Sequence, residues 1–183
     1  MTTSVKMILA ELERVFCETD VPNEGLLLDE ICSANSIVCV GAGRVGHAMA
    51  GFAKRLRHLG RECFWIEDKT VPRMGRGDLM LVGSGSGETE SIVGLAKIAK
   101  RENLRVALIS KNPVSRLSEL ADVTVLIPEL QDFDSGGVAA SKQPMTSLFE
   151  QSCQIYTDGL VLDLMSRLQV SSEEMGYRHN AIE

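Results

Sequence analysis

Basic charge, paired cysteines, clustered histidines and long apolar runs are all scarce in this 183-residue chain. Nineteen Lys and Arg stand against 25 Asp and Glu, a net charge of -6. That balance excludes a broad basic face for nucleic acid, whose backbone demands one. An anionic ligand has to be held by local groups, because the overall field repels it. The five cysteines are an odd count with no CxxC spacing. They read as buried thiols of a reducing compartment, not as a disulfide framework. His47, His58 and His179 are scattered, so no metal-ligand cluster is expected. No stretch of 18 apolar residues occurs, and no membrane span is expected. The opening "MTTSVKMILAELERVF" carries Glu11 and Glu13 and does not read as a signal peptide. The expected location is the cytoplasm. A G-K-[ST] ending is missing too, which argues against a nucleoside triphosphate loop.

What is present reads as one domain over 1–183. Hydrophobic residues make up 44% and charged residues 24%, an ordinary globular balance. A chain of this length buries about 70% of its unfolded surface and folds without disulfide or metal. Val5, Ile8, Leu9, Leu12, Val15 and Phe16 recur at helical spacing and predict an opening amphipathic helix. A second helix is expected at about 23–33. Strands are expected at "SIVCVG", "ECFWIE", "DLMLVG", "LRVALIS" and "DVTVLIP", with helices between them. Residues 129–143 read as a loop, and a long helix follows over about 144–168, with Pro144 in its first turn. The tail after it shows no clear period. Strands alternating with helices imply an α/β fold: a three-layer αβα sandwich around a doubly wound five-stranded parallel sheet. Ligands of such sheets bind outside the carboxyl ends of the strands.

Two glycine loops follow strands at that edge. "GAGRVG" places Gly41, Gly43 and Gly46 in G-x-G-x-x-G spacing, with Glu67 or Asp68 ending the next strand. This is the context of a dinucleotide fingerprint, but a phosphosugar site or a structural turn fits equally. The second loop, "GSGSGET", shifts the balance. Ser84, Ser86 and Thr89 offer three hydroxyls. Gly83, Gly85 and Gly87 let the backbone approach a ligand closely, and the next helix points its N–H groups the same way. The result reads as a cup for one phosphate that needs no lysine. A bare glycine turn with a serine cap is the plainer alternative, and Glu88 favours it, because a carboxylate repels a phosphate unless it points away.

"VGSGSGETES", "GAGRVG", "QPMTSLFEQ" and the terminal "YRHNAIE" together resemble the sugar isomerase (SIS) domain family, closest in type to its 6-phospho-3-hexuloisomerase group. The resemblance runs from the first helix to the last residue. It implies a five-stranded parallel sheet in flavodoxin-like order and a phosphorylated sugar as substrate. The implied reaction interconverts a 3-hexulose 6-phosphate and fructose 6-phosphate through an enediol, with no cofactor. It also implies a homotetramer with active sites between subunits. By position it assigns Ser84, Gly85, Ser86, Gly87 and Thr89 to the sugar phosphate, and Gly43 and Arg44 to the first loop. Glu150 falls at the catalytic base, and His179 at a terminal histidine that reaches a neighbouring subunit. The family's first loop commonly carries serine where Val45 stands, so one hydroxyl contact fewer is expected. Where the family tends to place an arginine and acidic residues before "QPM", this chain has Lys142. On the residues alone, Glu150 beside Leu148 and Phe149 is expected in apolar surroundings, which raise a carboxyl pKa. The same residues also permit a solvated surface glutamate, and His179 reads equally as part of a polar tail. His58, at a helix end, reads as favouring the helix dipole. A sugar-phosphate sensor without catalysis and an NAD-dependent enzyme built on Gly41, Gly43, Gly46 and Glu67 remain the alternatives.

Overall fold

A computed structural model describes residues 2–16, 21–128, 130–132, 137–138, 140–179 and 181–182. The chain opens with two helices, α1 (Thr3–Phe16) and α2 (Glu24–Ser33). It then alternates β1 (Ile37–Gly41), α3 (Gly43–His58), β2 (Cys63–Trp65), β3 (Leu79–Gly83), α4 (Glu90–Arg101), β4 (Arg105–Ser110), α5 (Arg116–Leu120) and β5 (Val123–Leu126). A short antiparallel pair follows, β6 (Gln131–Asp132) and β7 (Gly137–Val138), and then α6 (Ser147–Leu168) and α7 (Ser172–Tyr177).

The five long-range strands pair in parallel in the order β2-β1-β3-β4-β5, the flavodoxin-like arrangement expected. Alternation of side chains along each strand explains its two cores. Ile37, Cys39, Leu79, Leu81, Ala107, Ile109 and Val125 face one side, where residues of α1, α2, α3 and α6 cover them. Val38, Val40, Met80, Val82, Val106 and Leu108 face the other, under α4 and α5. Near-continuous burial of β3 and β4 is why their sequences read as unbroken apolar runs.

Four expectations need correction. "ECFWIE" forms only the three-residue β2, because an edge strand pairs on one side alone. The loop at 129–143 contains the β6–β7 pair, while 129, 133–136 and 139 lie outside the described residues. The last long helix begins at Ser147, three residues after Pro144, because Met145 takes a left-handed backbone with φ 55, which no helix accommodates. The tail is also not featureless: α7 carries a capping box in which Ser171 and Glu174 satisfy each other's backbone N–H groups.

Strand order reverses between β1 and β3. Ligands of doubly wound sheets bind at this switch point, and both glycine loops leave the sheet there. Gly41 pairs in register with Gly83, so the two loops sit side by side.

Candidate functional site

The second loop is fixed from behind. The Ser110 hydroxyl donates to the Gly85 carbonyl at 3.3 Å. The Asn112 side-chain amide donates to the Ser86 carbonyl at 2.9 Å, and the Leu117 N–H to the Gly87 carbonyl at 3.1 Å. Three consecutive carbonyls are thereby turned toward β4 and α5 and away from the mouth of the loop. That is the polarity an anion requires. Gly87 takes φ 70, and a Cβ there would lie 2.1 Å from the Ser115 Oγ, so only glycine closes this turn.

The cup's hydroxyls hold different positions. Ser84 Oγ accepts from the Gly87 N–H at 3.1 Å, and Ser86 Oγ from the Glu88 N–H at 3.2 Å. Each keeps its own O–H to donate. Ser84 is buried, while Ser86 is exposed. Thr89 stands at the N-cap of α4, yet its side chain makes no capping bond. The unbonded first-turn N–H groups of α4 and the Thr89 hydroxyl therefore converge on the cup.

Glu88 does not oppose this. Its carboxylate turns toward α5, accepting from the Arg116 backbone N–H at 2.8 Å and from Arg116 Nε at 2.6 Å. The same guanidinium donates to Glu90 at 2.6 Å. The backbone and side-chain hydrogen bonds from Arg116 hold the Glu88 carboxyl below its ordinary pKa. Nothing in the spacing of Glu88 and Arg116, 28 residues apart, announces this pairing.

The first loop and the start of α6 complete the site. Gly43 takes φ 56 in open space. A Cβ on Gly41 would lie 3.0 Å from the Gly46 Cα, so two of the three fingerprint glycines serve close packing of β1 on α3. Val45 is buried and packs where a Cβ on Gly83 would fall. The valine that replaces the family's usual serine thus belongs to the core in this chain. Arg44 reaches across to α6, donating to the Ser147 hydroxyl at 3.0 Å and pairing with Glu150 at 2.7 Å. Thr146 donates to the other Glu150 oxygen at 3.0 Å. The expectation of purely apolar surroundings for Glu150 is therefore corrected. The Glu150 side chain is only 14% exposed while that of Arg44 is 61% exposed, so the carboxylate sits in the wall and the guanidinium at the mouth.

Phe149, beside Glu150, ties the two halves together: a Cβ on Gly85 would come within 2.9 Å of its ring. The phosphate cup and the helix bearing Glu150 are in van der Waals contact. Gly43, Arg44, Ser84, Gly85, Ser86, Gly87, Thr89 and Glu150 thus gather around the ends of β1 and β3. His179 does not join them within one chain. Its ring lies 5.2 Å from that of His58, at the far end of the 16-residue α3, roughly 20 Å from Arg44 by helical rise. There Arg178 donates to the His58 carbonyl at 3.1 Å. His58 is buried, a packing position more than a helix-dipole one.

Glu67, the acidic residue a dinucleotide would need, accepts from the Trp65 indole at 3.3 Å. Among the described residues no three His, Cys, Asp or Glu side chains form a group able to hold a metal ion, and no helix is long and apolar enough to cross a membrane. Ser110, Asn112, Ser115 and Arg116 were not singled out by their residue types. Their roles come from contacts more than 20 residues away in sequence.

Comparison with known proteins agrees with this geometry. The SIS domain profile matches residues 30–153. A 3-hexulose-6-phosphate isomerase of Bacillus subtilis is 35% identical over 182 residues, covering 100% of this chain and 98% of its own. The enzyme of the same name from Mycobacterium gastri is 34% identical, over 100% of this chain and 92% of its own. A Methanococcus jannaschii protein, whose crystal structure was taken to imply 3-hexulose-6-phosphate isomerase function, superposes with a TM-score of 0.80 at 29% identity, covering 100% of both chains. A profile match over most of the chain and full-length similarity to relatives at 34–35% identity lead to one assignment: the chain belongs to the SIS domain family.

Proposed function

We propose that this chain is a phosphosugar isomerase that interconverts a 3-hexulose 6-phosphate and fructose 6-phosphate. The carrying observation is the contact between cup and base: the loop whose Gly85, Ser86 and Gly87 carbonyls are turned inward abuts the helix turn that bears Glu150. Full-length similarity to two 3-hexulose-6-phosphate isomerases supports the sugar assignment.

The chemistry follows from these positions. The phosphate rests on the Ser84, Ser86 and Thr89 hydroxyls and the first turn of α4, with charge-assisted hydrogen bonds. Glu150 takes the proton from C2 of the 3-ketose, and the C–H electron pair forms the C2=C3 double bond while the C3 oxygen gains a proton. Loss of the proton from the C2 oxygen then re-forms a carbonyl at C2, and Glu150 returns its proton to C3. One carboxylate serves both steps because both carbons present the same face. Arg44, exposed beside Glu150, stabilises the negative charge of the enediolate. His179 of a neighbouring chain moves the proton between the two oxygens, which makes a homotetramer with shared sites the working assembly. The chain acts as a metabolic enzyme of the cytoplasm.

Incubation with fructose 6-phosphate in deuterated water tests the reading. Deuterium is expected at C3. No incorporation into this sugar, or into ribose, arabinose and glucosamine phosphates, sinks the isomerase assignment. Phosphosugar binding without exchange would favour a sensor, and micromolar NAD binding would revive a dehydrogenase. For the shared site, a His179→Asn chain and a Glu150→Gln chain are each expected to be inactive alone and to recover part of the activity when mixed.

A further inference from the structure

The opening helix carries one residue that amphipathic patterning does not explain. Glu11 is a carboxylate only 6% exposed, buried where α1 meets the segment that leads into α6. Both of its oxygens are occupied. Oε1 accepts from the Lys142 backbone N–H at 2.8 Å. Oε2 accepts from the Ser141 hydroxyl at 2.8 Å and from the Gln143 side-chain amide at 3.0 Å. The Ser141 hydroxyl also accepts from the Gln143 N–H at 3.0 Å. Three consecutive residues, some 130 positions along the chain, are thus gathered on one buried anion. Burial raises the Glu11 pKa, but the hydrogen bonds from Lys142, Gln143 and Ser141 outweigh it and bring it below the ordinary value.

The chain between this anchor and the active-site turn has little slack. Pro144 fixes its own φ. Met145 is left-handed at φ 55 and 98% exposed, so its side chain does not hold that turn in place. The Ser147 N–H closes on the Pro144 carbonyl at 3.2 Å. Immediately beyond, Thr146 bonds Glu150 and Ser147 accepts from Arg44. The cup, by contrast, is braced by β4 and α5.

We infer that Glu11 is a positioning residue for Glu150: its carboxylate fixes residues 141–143 and, through the Pro144–Ser147 turn, the placement of the base over the sugar. The inference rests on the isomerase reading above. It assigns α1 a part in turnover that its place outside the sheet does not suggest.

The test separates turnover from phosphate binding. In Glu11→Ala, kcat for fructose 6-phosphate isomerisation is expected to fall at least about tenfold, since a displacement of 1 Å at a reacting group costs up to about a hundredfold. The Kd for inorganic phosphate should stay within about twofold, because the cup is braced independently. Glu11→Gln keeps an acceptor for Lys142 and should fall between. The Ser141→Ala/Gln143→Ala double variant cuts two ties, retains Glu11 and should reproduce the loss, which covers the case in which Glu11→Ala fails to fold. Unchanged kcat in the folded variants, or a parallel loss of kcat and phosphate affinity, overturns the inference. If the unmodified protein proves inactive, the isomerase reading fails by itself. Amide hydrogen exchange then decides the positioning claim: Glu11→Ala must speed exchange at 144–150 and leave 84–89 unchanged, and equal exchange at 144–150 refutes it.

Discussion

Replacing Gly85 by alanine tests whether cup and base form one unit. Gly85 does not occupy a positive-φ conformation, so the backbone accepts alanine without strain. The added methyl, however, would lie 2.9, 3.2 and 3.3 Å from three ring atoms of Phe149, against the 3.5–4.0 Å of a relaxed carbon contact. Phe149 is itself buried, at 6% exposure, so its ring cannot swing out freely. Either the loop or the first turn of α6 must retreat by about 0.5–1 Å. Overpacking of this kind costs about 1–3 kcal/mol of stability. A retreat of that size at Glu150 lowers kcat/KM by roughly ten- to a hundredfold. Steady-state kinetics and thermal melts of Gly85→Ala, Phe149→Leu and the double variant measure the coupling. The smaller leucine should relieve the clash, giving a favourable interaction term of about 0.5–3 kcal/mol in the cycle. Additive effects, within about 0.5 kcal/mol, would refute the contact and with it the argument that the phosphate loop and the base helix move together.

Thr89→Ala should raise KM by roughly ten- to a hundredfold, the worth of about 1.5–3 kcal/mol for a hydrogen bond to a charged group. Its melting temperature should hardly change, since the Thr89 side chain makes no cap bond; an unaltered KM would reduce the cup to a turn. Ser84→Ala should raise KM and also cost about 1 kcal/mol of stability, because the hydroxyl is buried and holds the Gly87 N–H; chemical denaturation separates the two effects. Arg116→Ala should leave Glu88 and Glu90 facing the phosphate and raise KM by about two- to fivefold at low salt, shrinking as salt screens the charges; a salt-independent KM would contradict it. Asp122 is desolvated by burial, which raises its pKa, but the hydrogen bonds from Lys100 and the Val106 N–H bring it below the ordinary aspartate value. A depressed folded pKa contributes stability above the unfolded value that is lost as pH falls through the folded one. The stability deficit of Asp122→Asn relative to the parent should therefore be full at neutral pH and shrink below about pH 4; a deficit that stays constant there would contradict this.

Much of this was legible because it is local. Strand runs such as "DLMLVG" and "LRVALIS" are apolar in their interiors since both faces of the sheet are covered, and their alternation with helices implies a parallel sheet. Glycine spacing and hydroxyl spacing located both loops at the ligand edge. What escaped was either a compensation of local signals or a contact between distant segments. Pro144 promised a helix start, but the left-handed Met145 delays it. The capping box of α7 was readable in Ser171 and Glu174, three apart before a short helix, yet the polar tail hid it. Glu88 appeared to oppose a phosphate because its partner Arg116 lies beyond another strand. Nothing in the spacing of the opening helix marks Glu11 as buried, and its partners at 141–143 lie some 130 residues away. Val45 stands where a serine hydroxyl was looked for, and its place in the core could not be read from the loop alone. In each case local pattern gave the residue's chemistry correctly and its surroundings wrongly, because surroundings depend on chain crossings that no short window contains.

The proposed donation of His179 to a second chain would constrain how two copies meet. On each chain Glu150 adjoins the N-terminal end of α3, through Arg44, while His179 adjoins the C-terminal end, through His58. The ends of this 16-residue helix are roughly 24 Å apart. A two-fold axis satisfies both needs at once: it lays the giving end of one chain against the receiving end of the other, and the second contact follows by symmetry. The receiving end has the surface for it. A groove of about 390 Å³ runs past Glu150, lined among others by Ile8, Leu12, Arg44 and Ile155. Val5 and Leu9 of α1 and Ile155 and Leu162 of α6 are exposed apolar residues, which a monomer gains nothing by displaying. Covering this face would also keep water from the carboxylate, and an enediol gains from a dry site because charge–dipole interactions strengthen there. Under the proposed assembly the same contact would bring His179 to Glu150 and lower the dielectric around that carboxylate.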